Sequence, residues 1–172
     1  MTEPAQPAGQ TSGQASGQTR RIVHIQLEDA ASLRQSPEAE QERAVAIFDL
    51  IEENEFAPAV EHPGPYHLFL AVADNRLVFD IRDTGNQEIY KFILSMAPFK
   101  RIIKEYFEVC ESYYAAIKRS ALSQIEAIDM GRRGLHNEGS EILRERLAGK
   151  VEIDFGTARR LFTLICALHM KT

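Results

Sequence analysis

Between Pro98 and Met130 the chain carries one uninterrupted amphipathic run, and any fold must give that run a surface to cover. Phe99, Ile102, Ile103, Tyr106, Cys110, Tyr113, Ile117, Ala121, Ile125 and Ile128 follow one another mostly at steps of three or four. That spacing gathers them on one face of a 3.6-residue helix. Lys100, Arg101, Lys104, Glu108 and Lys118 fall on the opposite side. Proline suits the first helical turn, where its missing N–H would be unpaired anyway. No Gly or further Pro intervenes before Gly131. The spacing therefore predicts a single helix over 98–130, roughly 50 Å long at 1.5 Å per residue, with Ile117 buried near its middle. Phe107, Val109 and Tyr114 widen the stripe beyond a two-position seam, which points to a globular core and not to a lone coiled coil.

The segments around this helix set the fold class. Residues 1–19 hold Gly, Gln, Ser, Thr, Ala and Pro with almost no apolar bulk and read as a disordered tail. Residues 20–172 read as a single α+β domain. In Ile22–Leu27, Val23, Ile25 and Leu27 alternate as the buried face of a short strand. Ser36-Pro37-Glu38 has the order of a helix start, with Ser as N-cap, and the helix runs to about Asn54. Phe56–Pro65, with three prolines and Gly64, reads as a loop. Tyr66–Ala73 and Leu77–Arg82 flank Asp74-Asn75-Arg76, a tight turn, and Glu88–Ser95 completes a three-stranded meander.

Beyond the long helix, Gly131, Gly134 and Gly139 fall within nine residues, each costing a helix about 1 kcal/mol against alanine. We expect the helix to break there and restart near Asn137 or Ser140, running to Leu147. A continuous helix is the alternative, with Gly131 and Gly139 permitting close packing. Val151–Phe155 alternates as a strand, and a final helix starts at Gly156-Thr157 and ends near His169. The expected architecture is thus a small antiparallel sheet, meander plus terminal strands, packed by the long helix and two to three others.

Charge is polarised along the chain. Residues 22–99 carry 14 acids and 5 bases, whereas residues 131–172 carry 8 bases and 5 acids, within a net charge of −5. The C-terminal third is too weakly basic for duplex nucleic acid. No apolar window reaches membrane-spanning length, and no signal-peptide pattern opens the chain. Cys110 and Cys166 sit in apolar helical patterns and read as reduced core thiols. The five histidines show no metal-ligand spacing, so neither a metal nor another cofactor is expected. Asp154-Phe155-Gly156 matches the kinase metal-binding triplet only as a string, without a glycine-rich loop or catalytic-loop motif beside it.

The residues with most chemical potential lie in the Gly131–Ser140 stretch. Arg132, Arg133, His136 and Asn137 there could receive phosphate or carboxylate through guanidinium forks and a helix start. The plainer alternative is a turn with solvated charges. Arg159 and Arg160 open the last helix, where the dipole disfavours cations and calls for Asp129, Asp154 or a bound anion nearby.

Ile47-Phe48-Asp49-Leu50, Gly64-Pro65-Tyr66, the run Ile125–Gly139 and Thr157–Leu164 together resemble an uncharacterised family of alphaproteobacterial proteins. The resemblance spans about residues 21–170, leaves out the tail, and implies a bacterial cytoplasmic protein without transferring any catalytic residue. We expect, first, a non-enzymatic binding or regulatory protein with an unknown protein partner. The second expectation is an enzyme or binding protein for a small anionic ligand, phosphorylated or carboxylated. The third is RNA or ribosome association.

Overall fold

The computed structural model describes residues 19–28 and 37–169. Residues 1–18 of the expected tail and the Ser36 N-cap lie outside the described residues. The elements are β1 (Ile22–Leu27), α1 (Pro37–Glu52), β2 (Phe56–Pro58), β3 (Tyr66–Ala73), β4 (Arg76–Arg82), β5 (Glu88–Ser95), α2 (Lys100–Arg119), α3 (Leu122–Leu147), β6 (Val151–Ile153) and α4 (Phe155–His169). The fold is α+β, with four α-helices, a mixed four-stranded sheet and a separate two-stranded one among the described residues.

The meander forms as its alternation requires. β3, β4 and β5 pair antiparallel, and Asp74 and Asn75 turn the first hairpin with φ of 50° and 61°. Short polar side chains tolerate that left-handed backbone better than others do. Leu68, Leu70, Leu77, Phe79 and Ile81 are fully buried on one face. Burial of each such side chain is worth about 1.5–3 kcal/mol, so this face fixes the register. The other face carries His24 and His67 with ring centroids 5.0 Å apart, and Arg82 over the Phe69 ring at 3.9 Å.

β1 joins this sheet at its edge, parallel to β3, so the four-stranded sheet is mixed. A register shift between Ile22 and His24 puts Ile22 in the core with Ile25 and Leu27, and leaves Val23 exposed. Simple alternation from Val23 points the other way. The Asn54 side chain closes the end of α1 onto β1. It accepts from the Ile22 N–H at 2.7 Å and donates to the carbonyls of Ile22 and Leu50 at 2.9 and 2.6 Å. Residues 56–58, read from sequence as loop, pair antiparallel with β6 instead. Pro58 is tolerated because it sits at the end of the short ladder.

The long helix is two helices. Ser120 and Ala121 take extended backbone (ψ 162° and 152°), and α3 folds back along α2. A straight 98–130 helix would leave the second half of its apolar stripe uncovered, whereas the hairpin brings Tyr113, Ile125 and Ile128 to half-buried positions. α3 then runs without interruption through Gly131, Gly134 and Gly139. The expected break is therefore about ten residues too late. Gly139 does make close packing possible: a Cβ there would collide with the Phe162 ring of α4. Gly131 does not, for its Cβ position is open space. Ile117, expected to be buried, is 51% exposed, and its neighbour Ala116 is the buried residue.

α4 begins at Phe155, a residue before the expected start, and Asp154 caps it by accepting from the Thr157 N–H at 3.2 Å. Its buried side, with Leu161, Phe162, Leu164, Ile165 and Leu168, packs against α1 and α3. Cys110 and Cys166 are buried free thiols, and burial pushes Cys110 up to about 11. No helix among the described residues is long and apolar enough to cross a membrane.

Candidate functional site

Three helices wall a cleft of about 850 Å³. α3 contributes Arg132, Arg133, His136 and Asn137, which the helical period places on two adjoining turns of one side. α4 contributes Gly156, Arg159, Arg160 and Thr163, again successive turns of one face. α1 faces them with Gln41, Glu42, Val45, Ala46 and Asp49, and Tyr106 of α2 closes the back. All six residues singled out from sequence thus line one concavity, although a strand and a turn separate Asn137 from Arg159 along the chain. The α1 wall has no signal of its own, because nothing in its local sequence marks it. Thr163 has one: it follows Arg159 by four residues and so shares its face.

The arginines are held differently. Arg132 donates to Asp129 through Nη2 at 2.6 Å and lies over the Tyr113 ring at 4.8 Å. Arg133 reaches the other oxygen of the same carboxylate at 3.0 Å. The Arg132 hydrogen bond, with both positive charges, keeps the Asp129 carboxyl below the usual carboxylate range. Arg160 donates to the Glu53 carbonyl at 2.9 Å. Among the described residues no carboxylate lies within ion-pair distance of Arg159 or Arg160. The expected partners are engaged elsewhere, Asp129 by the α3 arginines and Asp154 at the helix cap. Because α4 starts early, both arginines also sit in its second turn, where the dipole penalty has largely faded.

His136 is the buried polar group of the site, 8% exposed, with ring contacts to Tyr106 and Phe162 at 5.4 and 5.1 Å. Its Nε2 lies 2.8 Å from Thr163 Oγ1, and that hydroxyl donates to the Arg159 carbonyl at 3.2 Å. The hydroxyl has one proton, so the arrangement that satisfies both contacts has Nε2–H donating to Oγ1. Nδ1 is then a bare lone pair, buried and without a partner among the described residues. Burial, reinforced by the Arg159 and Arg132 charges, lowers His136 to about 4, so it is neutral at neutral pH. Such a histidine accepts a hydrogen bond but holds no proton to give as an acid at pH 7.

On the facing wall, Glu42 accepts from the Tyr114 hydroxyl at 2.8 Å, and Asp49 is exposed. The cleft therefore has a guanidinium-rich side and a carboxylate side. Among the described residues no three of His, Cys, Asp and Glu gather to hold a metal ion.

Residues 19–171 match the family described as "Uncharacterised protein family (UPF0262)". The chain is 56% identical over 153 residues to a UPF0262 protein of Rhodospirillum rubrum, covering 89% of this chain and 94% of the relative. It is 55% identical over 152 residues to one of Paramagnetospirillum magneticum, covering 88% and 97%. A third, from Agrobacterium fabrum, is 55% identical over 151 residues, covering 88% and 96%. These relatives are alphaproteobacterial. No solved structure matches the chain.

Proposed function

We propose, for a chain that belongs to the uncharacterised UPF0262 family, that it binds a small phosphorylated or carboxylated molecule in the cleft between α1, α3 and α4. The observation that carries this reading is convergence. Four arginines and Asn137, drawn from two consecutive helices, line one concavity beside a buried, half-satisfied histidine. Guanidinium groups recognise phosphate and carboxylate through paired N–H donors. The volume falls in the ordinary range for small-molecule sites. Arg159, with no carboxylate in reach among the described residues, is the side chain most available to a ligand anion.

Binding to the folded state alone stabilises it by mass action, by about 2.7 kcal/mol at a ligand concentration 100 times Kd. Inorganic phosphate should therefore raise the melting temperature beyond chloride at equal ionic strength. Arg159→Ala should abolish that rise while leaving the unliganded melting temperature unchanged. Equal responses to phosphate and chloride would refute the reading.

The expectation of a protein partner draws its support elsewhere, from Ile117, Leu122 and Met130, exposed at the outer end of the α2–α3 hairpin.

A further inference from the structure

We infer that the ligand is bipolar, with its anionic group on the arginine side of the cleft and hydroxyl or ammonium donors on the side of Asp49 and Glu42; this rests on the anion-binding reading above. The first ground is the division of charge. Among the described residues of the lining, all four arginines come from α3 and α4, and both carboxylates come from α1. A bare phosphate would satisfy one side and leave the other as a repelling wall. A molecule that carries protic groups a few bonds from its anion satisfies both.

The second ground is what the lining lacks. Among the described residues of the lining Tyr106 is the only aromatic one besides His136, and it is 5% exposed. Its ring is occupied by His136 and Phe162, with centroids at 5.4 and 6.2 Å. A nucleobase that stacks on aromatic rings finds no open aromatic face among the described residues of the lining. The fit is to a small hydrophilic anion such as a sugar phosphate or an amino-bearing phosphate, with no aromatic platform for the base of a nucleotide.

The test compares four probes by calorimetry on the full chain: methyl phosphate, ribose 5-phosphate, phosphoethanolamine and AMP. Hydrogen bonds to a charged acceptor are worth enough to tighten binding by about tenfold or more. We expect ribose 5-phosphate or phosphoethanolamine to bind at least about tenfold more tightly than methyl phosphate. The stronger of the two tells hydroxyl from ammonium. AMP should gain nothing over ribose 5-phosphate. Asp49→Asn, at an exposed position where folding is not at stake, should collapse the ratio between the donor-bearing probe and methyl phosphate. If all phosphates bind alike, or AMP binds most tightly, the bipolar assignment is overturned while anion binding stands. If none binds, the anion reading itself has failed.

Discussion

The two halves of α3 have similar polar composition and opposite fates. From Leu135 to Leu147 the helix is part of the body: His136, Gly139, Ser140, Leu143 and Leu147 are buried, where the helix packs against α4 and β6. From Leu122 to Gly134 no residue is buried, and Leu122 and Met130 are 70% and 75% exposed. The same contrast runs through α2, whose buried residues thin out after Cys110 to Ala116 alone. The root of the hairpin is held by tertiary packing. Its outer end is held by one helix lying on another and by intrahelical hydrogen bonds. Glycine shows the difference best, because one residue type serves a contact at the root and serves none at the end. The cleft lies where the two regimes meet, with Arg132 and Arg133 on one side of Gly134 and His136 on the other.

The largest effect that would sharpen this contrast is expected at Gly139. An added methyl would run into the Phe162 ring, which is fully buried and backed by His136 and Tyr106. Overpacking of a closed core costs about 1–3 kcal/mol, occasionally more, and a ring with no free side belongs at the upper end. Gly139→Ala should therefore lower the denaturant midpoint by the equivalent of about 3 kcal/mol. A midpoint within about 0.5 kcal/mol of the parent would show that α3 and α4 can separate without cost, and the rooted half would lose its distinction.

Next in size is the pH dependence of the root. His136 has its folded value lowered to about 4 against an ordinary 6.5, because burial and two arginines oppose its charge. The unfolded chain takes up this proton first as pH falls, so stability is intact above about pH 6.5 and drains away down to about pH 4. At about pH 5 the loss from this one group is roughly 2 kcal/mol. His136→Leu should flatten that part of the stability profile relative to the parent, whatever the other histidines contribute to both. Parallel profiles from pH 7 to about pH 4.5 would mean that His136 is not held neutral by burial.

What could be read in the sequence follows the same division. The meander was legible because each strand alternates by itself and its turn residues mark its ends. Arg132, Arg133, His136 and Asn137 stood out locally through their glycine-rich setting, and Arg159 and Arg160 through their place near a helix start. The fold-back at Ser120 was not legible, since the apolar stripe crosses it without a change of period and nothing there forbids helix. The pairing of residues 56–58 with 151–153 joins segments almost a hundred residues apart, so no local pattern reports it. The acidic wall of the cleft was hidden for a related reason. Glu42 and Asp49 look like the solvent side of any amphipathic helix until α4 is placed beside them. Gly131–Gly139 misled because propensity alone counts three equal penalties, whereas one of the three glycines is repaid by contact.

The other two glycines carry the smallest and most discriminating prediction. Gly131 and Gly134 lie inside α3, are exposed, and have nothing within 4 Å of where a Cβ would stand. Neither has the positive φ that would demand glycine; those among the described glycines are Gly64 and Gly149. Alanine at either site therefore meets no obstacle in the folded chain and restricts the unfolded one. The expected gain is about 0.4–1 kcal/mol at each position, opposite in sign to the effect at Gly139. The two substitutions lie one helical turn apart on open surface, so their gains should add to within about 0.5 kcal/mol. Midpoints for the two single variants and the double variant check this directly. Losses at either site would place a neighbour where the geometry has none, and the outer half of α3 would then be packed against something after all.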